Sequence, residues 1–248
     1  MLSKWKMIKK IKIIFLGVFI MLSFSNESKA NNYRENSTLI CIDPGHQARG
    51  NSELEEQAPG SSIKKAKVSS GTRGVVTKKN EYELTLDVGL KLRNLLKSKG
   101  YKTFMIRETH NVNISNKERA LITNKMGCAV YIRIHADGSE NRTVNGVSVL
   151  TSSAKNRYTG KVQKESDRLS KNVLEEVIKT TGAKNRGVSY RDDLTGTNWS
   201  TSVNTLLEMG FMSNPEEDRK MASDDYQNKI VLGIFNGKEI RGTLKTSM

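Results

Sequence analysis

The chain holds three histidines, His46, His110 and His135. Two of them stand in matching contexts: "TLICIDPGHQ" and "CAVYIRIHADGS" each run through apolar, β-branched residues and stop at a histidine. Two carboxylates have related settings. Glu81 opens the helical pattern "NEYELTLDVGLKLRNLLKSKG", and Glu208 closes the apolar run "VNTLLE". Two imidazoles and one carboxylate are a sufficient ligand set for catalytic zinc, leaving a fourth position for water. Bound zinc lowers the pKa of water to about 7 and polarises a carbonyl oxygen. Such chemistry then needs a carboxylate that does not bind the metal, as base for the water and acid for a leaving amine. Glu208 is the natural candidate. Glu83 competes with Glu81 two residues on, and spacing does not choose between them. No H-E-x-x-H pattern is present, and His110, in "RETHNVN", reads as a loop residue.

The elements that would carry these residues alternate. Thr38 to Asp43 reads as a buried strand, with His46 on the Asp-Pro-Gly turn after it. Residues 47–79 show little periodicity and much Gly, Ser and Lys, a long loop of the kind that is usually functional or disordered. Leu84, Val88, Leu92, Leu95 and Leu96 recur at helical spacing up to Gly100. "YKTFMI" reads as a strand, and Ser115 with Glu118 forms a capping-box signal for the next helix. "CAVYIRI" is a strand, "NGVSVLTS" another, and "GKVQKESDRLSKNVLEEVIKTTG" an amphipathic helix. "TSVNTLLEMGF" is a last strand that ends at Glu208, before one short and one longer helix. Strands alternating with helices predict an α/β layered sheet in one domain. Ligands of such sheets bind at the carboxyl ends of the strands, where three of the four candidates sit.

Composition limits the partners. The 248 residues suffice for a sizeable core, and the formal charge is +15. The first thirty read as a secretory signal peptide: basic "MLSKWKMIKKIK", apolar "IIFLGVFIMLSF", then Ser28 and Ala30 at minus three and minus one of a cut. The apolar run is short for a membrane span, which makes an uncleaved anchor the lesser reading. Residues 31–37 form a polar lead-in, and the exported chain would begin near Asn31. The leader holds six lysines against Glu27, so the remainder keeps about +10. Export and the lack of a nucleic-acid-binding motif argue against nucleic acid and for an anionic cell wall. Lys64, Lys65 and Lys67 are candidates for attracting anionic wall polymers. Cys41 and Cys128 are compatible with either a disulfide or buried thiols.

Five ordered blocks, "IDPGHQ", "NEYELTLDVGLKLRNLLKSKGYKTFMIRE", "ISNKERA", "RIHADGS" and "LLEMGFMSNPEED", span about Thr38 to Ile240. Together they resemble the zinc-dependent N-acetylmuramoyl-L-alanine amidases of the Amidase_3 type. The resemblance implies a three-layer α/β domain over 38–245, with a central, mostly parallel sheet flanked by helices. It implies one zinc ion held by His46, Glu81 and His135, with Glu208 as the catalytic glutamate. Glu81 is preferred over Glu83 because it stands six residues before Asp87, as in the family pattern. The implied reaction is hydrolysis of the amide joining N-acetylmuramic acid to L-alanine of the stem peptide, by a monomeric enzyme acting on peptidoglycan. Another zinc peptidase of the wall, or a non-catalytic wall-binding protein of the same fold, are the alternatives. The chain departs from the family at Gln47-Ala48, where Gly-Gly is common, and at Arg133 and Asp137, where Ser and Asn are common. Arg133 and the 47–79 loop are therefore expected to alter substrate access. No inserted helix near Glu208 is legible, so the site is expected to be open.

Overall fold

The computed structural model describes residues 38–237. The expected leader over 1–30, the expected lead-in at 31–37 and the chain beyond residue 237 lie outside the described residues. Six strands form one sheet in the order β4-β1-β5-β8-β6-β7. Their ranges are β1 Leu39–Pro44, β4 Lys102–Met105, β5 Val130–Asp137, β6 Val147–Thr151, β7 Asn185–Tyr190 and β8 Val203–Phe211. All neighbours pair in parallel except β6 against β8. The long helices are α1 Glu81–Ser98, α2 Asn116–Lys125, α3 Gln163–Thr181 and α6 Asp224–Gly237, with short α4 Thr195–Asn198 and α5 Pro215–Ala222. The α/β fold, a mostly parallel sheet flanked by helices, is as the sequence predicts.

Alternation along the strands sorts the two faces of the sheet. Ile40 and Ile42 of β1, Ile132 and Ile134 of β5, and Leu207 and Met209 of β8 share one face. They meet Leu84, Val88 and Leu92 of α1, Val173 and Val177 of α3, and Ile230 and Ile234 of α6. Each such buried side chain contributes about 1.5–3 kcal/mol. The intervening residues Cys41 and Tyr131 face the other way, into a smaller cluster with Ile106 and Ile122 of α2. Cys41 and Cys128 are joined there by a disulfide. Ser115 caps α2 as its pattern predicts: its hydroxyl accepts from Glu118 N (3.1 Å), and Glu118 Oε2 accepts from Ser115 N (2.7 Å).

Three differences from the sequence reading bear on the site. The 47–79 stretch is not structureless, because β2 (Asn51–Glu56) and β3 (Lys64–Val68) form an antiparallel hairpin. Hydrophobic alternation could not reveal it: its strands pair by charge, Glu55 opposite Lys65 and Glu56 opposite Lys64. It docks instead through polar contacts, with Trp199 Nε1 donating to Glu56 O at 2.9 Å and Lys117 Nζ donating to Glu56 Oε2 at 3.0 Å. The edge strand β7 is polar and exposed, which hid it in the same way. Finally, β5 and β8 continue past His135 and Glu208, so both residues lie within paired strands rather than after them, opposite one another in register.

Candidate metal centre

Chain connection reverses direction across the sheet at β1, which is followed by β4 on one side and later by β5 on the other. The crevice at such a switch point, beyond the strands' carboxyl ends, is where open α/β sheets bind ligands. His46 leaves β1 there, and its backbone adopts φ 61, a left-handed conformation that a residue with a Cβ rarely takes. Two buried arginines hold this turn through its carbonyls. Arg107 donates to Pro44 O and Gly45 O, each at 2.9 Å. Arg119 donates to Asp43 Oδ1 (2.5 Å), Pro44 O (3.0 Å) and His46 O (2.9 Å). Asp43 is buried, which disfavours its charge, but Arg119, Arg133 and the Tyr131 hydroxyl prevail and keep its pKa low. Its role is thus to anchor Arg119, not to touch the His46 ring. Gly45 lies against the second histidine, where a Cβ would come within 2.6 Å of His135 Nδ1.

The turn delivers His46 Nε2 to a point 3.0 Å from His135 Nδ1 and 3.0 Å from Glu81 Oε1. His135 Nδ1 is 3.2 Å from the same Glu81 oxygen. The segment 69–72, from the second half of the long loop, closes over this triangle. His46 Nδ1 lies 2.9 Å from Ser69 O, and since a carbonyl only accepts, Nδ1 carries the proton and Nε2 presents its lone pair inward. Thr72 N donates to Glu81 Oε2 (2.9 Å), and Ala136 N donates to Oε1 (3.0 Å). Gly71, at φ +83, passes so close that a Cβ would fall 2.6 Å from Glu81 Oε2. Glu83 points elsewhere: its Oε2 accepts from Asn80 N at 2.8 Å and caps α1. His110 stays in its loop, its ring edge-on to Tyr82 with centroids 5.3 Å apart.

The triangle's electrostatics suit a cation. Burial pushes the His135 imidazole down to about 4, so it is neutral and ligand-competent at pH 7. Burial works against the Glu81 charge, but the adjoining His135 and His46 imidazoles outweigh it and hold its pKa far below the usual carboxylate range. Three acceptor atoms about 3 Å apart therefore share a small space in which only a proton or a cation relieves their repulsion. Tetrahedral zinc with bonds of about 2.0–2.1 Å separates its ligand atoms by roughly 3.3 Å. The donor set and its spacing fit that ion, and no other group of three metal-ligating side chains so placed occurs among the described residues.

Glu208 lines the same cleft of about 650 Å³, with Asp137, Ser139 and Glu140 along its rim. Its pKa is pushed well above 4.5 by burial, then by repulsion from Glu81 and Asp137. Its Oε2 is buried with no hydrogen-bond partner. Arg133, expected to affect access, lies under the site instead: it is buried, with Nε 3.7 Å from Asp43 Oδ2 and Cζ 3.0 Å from where a Gly196 Cβ would be. Of the three loop lysines, Lys65 pairs with Asp193 and Lys67 with Glu53, so much of their charge is neutralised locally. Sequence reasoning missed Arg107, Arg119, Ser69, Gly71 and Thr72, which act mostly on or through backbone groups.

A family model described as N-acetylmuramoyl-L-alanine amidase (Amidase_3) matches residues 40–239. The chain is 27% identical over 205 residues to the N-acetylmuramoyl-L-alanine amidase Rv3717 of Mycobacterium tuberculosis, covering 79% of this chain and 84% of that one. It is 26% identical over 242 residues to the N-acetylmuramoyl-L-alanine amidase AmiA of Escherichia coli, covering 77% and 83%. The crystal structure of the N-acetylmuramyl-L-alanine amidase Ami1 from Mycobacterium smegmatis superposes with a TM-score of 0.74 at 26% identity, over 85% of this chain and 98% of that one.

Proposed function

This chain belongs to the Amidase_3 family of N-acetylmuramoyl-L-alanine amidases and is a peptidoglycan amidase; we propose that it works with one zinc ion held by His46, Glu81 and His135 and with Glu208 as general base. The observation that carries this reading is the convergence of three acceptor atoms about 3 Å apart, one strand away from Glu208, whose Oε2 is buried. When bound, zinc supplies a Lewis acid that activates water and polarises the amide carbonyl. Glu208 takes a proton from the attacking water and passes it to the departing alanine nitrogen. A carboxylate whose pKa burial has raised binds that proton readily in the folded cleft. Ser69 keeps His46 in the tautomer that offers Nε2, and Thr72 and Ala136 hold the Glu81 carboxylate in place.

The remaining elements of the reading concern location and form. The leader over 1–30, the catalytic domain over 38–245, export to the wall and a monomeric state are part of the proposal. The Cys41–Cys128 disulfide supports export, since such bonds persist in oxidising compartments. So does the name of one relative, a cell wall amidase of Bacillus anthracis. Anionic wall polymers as partners rest on net charge. The deciding experiment is metal analysis of the purified chain combined with mass analysis of its products on peptidoglycan. One zinc per chain, with free glycan and intact stem peptide, is the expected result; shortened peptides or no bound zinc would overturn it. Glu208→Gln should bind zinc as before and lose turnover, and retained turnover would remove Glu208 from its role.

A further inference from the structure

A second cavity, of about 630 Å³, lies between the start of the hairpin and the loop after β4. Arg49, Asn51 and Ser52 form one wall, and Asn111 and Asn113 form the other. It is polar: three carboxamides and Ser52 share it with Arg49 and with Glu53, whose carboxylate pairs with Lys67, and no carboxylate forms an ion pair with Arg49 among the described residues. Asn51 Nδ2 donates to Asn113 Oδ1 across the groove at 3.2 Å, which leaves both N–H groups of Asn113 Nδ2 and one of Asn51 Nδ2 to donate to a ligand.

The groove is built onto the metal centre. Arg49 is three residues from His46, and Arg119, which holds His46 O, also reaches Gln47 Oε1 (3.3 Å). That same Gln47 oxygen accepts from Ile114 N (3.0 Å), and Ala48 N donates to His110 O (3.0 Å), so both walls are tied to one another and to the ligand turn. Gly50 packs on the strap that carries Ser69, with a Cβ there 3.2 Å from Ser70 N.

Sheet order then gives the groove a direction. Across the carboxyl rim His46 from β1, His135 on β5 and Glu208 on β8 follow in order, and the groove opens from the His46 end, its walls tied to Gln47 and Ala48. Glu208 must face the departing nitrogen, so the peptide half of the substrate extends toward β8. The acyl half, which is the sugar side, extends the other way, over His46 and into the groove. Resting on the amidase reading above, we propose that this groove binds the glycan strand of peptidoglycan, its carboxamides and Arg49 hydrogen-bonding the hydroxyl and acetamido groups of sugars flanking the reacting residue. Polar carboxamides in a pre-braced cleft suit a ligand rich in hydroxyl and acetamido groups, because little ordering cost remains to be met on binding.

The test uses zinc-loaded Glu208→Gln protein and a peptide-free tetrasaccharide of alternating N-acetylglucosamine and N-acetylmuramic acid. Backbone amide shifts are expected at residues 49–53 and 111–113. The Asn51→Ala/Asn113→Ala double substitution should weaken binding by about tenfold or more. In active protein the same double variant should lose its advantage on a glycan-bearing muropeptide while hydrolysing muramyl dipeptide at the unmodified rate. Shifts confined to the Glu208 side, no binding, or an equal loss on both substrates would each overturn the groove assignment. If instead the tetrasaccharide binds in the groove but wild-type protein releases no stem peptide, the groove stands and the catalytic reading fails.

Discussion

Replacing Glu208 with glutamine in metal-free protein should raise stability at neutral pH and uncover an acid sensitivity that the native side chain masks. His135 and Glu208 are register neighbours on β5 and β8, and burial displaces their titrations in opposite senses. The His135 folded pKa is about 4, against 6.5 in an unfolded chain. As pH falls the unfolded state takes the proton first, so stability that is full above 6.5 is lost between 6.5 and 4. At about 1.36 kcal/mol for each pH decade, that loss is about 3 kcal/mol. Glu208 runs the other way. Its folded pKa lies above 4.5, so the folded state keeps a proton that the unfolded state has released. Its contribution is complete below 4.5 and is lost as pH rises through the folded value.

On acidification, what Glu208 restores therefore offsets what His135 removes. Glutamine titrates in neither state, so the variant carries the His135 slope alone. The depressed carboxylates Glu81 and Asp43 weaken the protein only as pH falls through and below the ordinary carboxylate range, at the foot of the range compared. At pH 7 the difference between the two proteins is the cost of a charge opposed by burial, Glu81 and Asp137, which glutamine does not carry; it is about 1–3 kcal/mol. For a domain of this size that is roughly 2–12 °C in melting temperature. Urea or thermal melts in chelator from pH 7.5 to 4.5 read both effects. The variant should lie above the wild type at pH 7 and converge on it toward pH 4.5. A constant offset across the range, or a variant less stable at pH 7, would refute the reasoning.

Other predictions follow from the contacts around the metal centre. Arg119→Lys keeps the charge beside Asp43 but cannot reach the carbonyls of Pro44 and His46 together; zinc affinity should fall about 10–100-fold, measured by competition with a chromophoric chelator. Gly45→Ala would press a methyl into the His135 ring, and the same assay should register a loss of at least about tenfold, with unchanged affinity arguing that the ring has room to move. The Cys41→Ser/Cys128→Ser variant opens a link across 87 residues, for which chain entropy gives about 4–5 kcal/mol of lost stability by urea melts; an unchanged midpoint would argue that the bond does not form.

What the sequence made legible at this site divides along a chemical line. His46 and His135 stand out because only a few residue types hold zinc, and because each terminates an apolar run that has to be a strand. Glu81 against Glu83 is a different problem, and one that spacing over the first turn could have solved. Asn80 with Glu83 three residues later is a capping-box pair, which commits Glu83 to the helix start and leaves Glu81 for the cleft. Position along the chain misplaced Glu208 for another reason: the run of apolar residues ends at it, but strand pairing does not, and its partner His135 across the sheet is what determines its place. The supporting contacts leave no such mark. Arg107 and Arg119 bind carbonyls, Ser69 accepts through its carbonyl, and Thr72 and Ala136 donate from backbone N–H, groups that almost every residue carries. Residue identity thus reveals atoms that bind metal or move protons, whereas the backbone that aims them becomes visible only once the chain has folded.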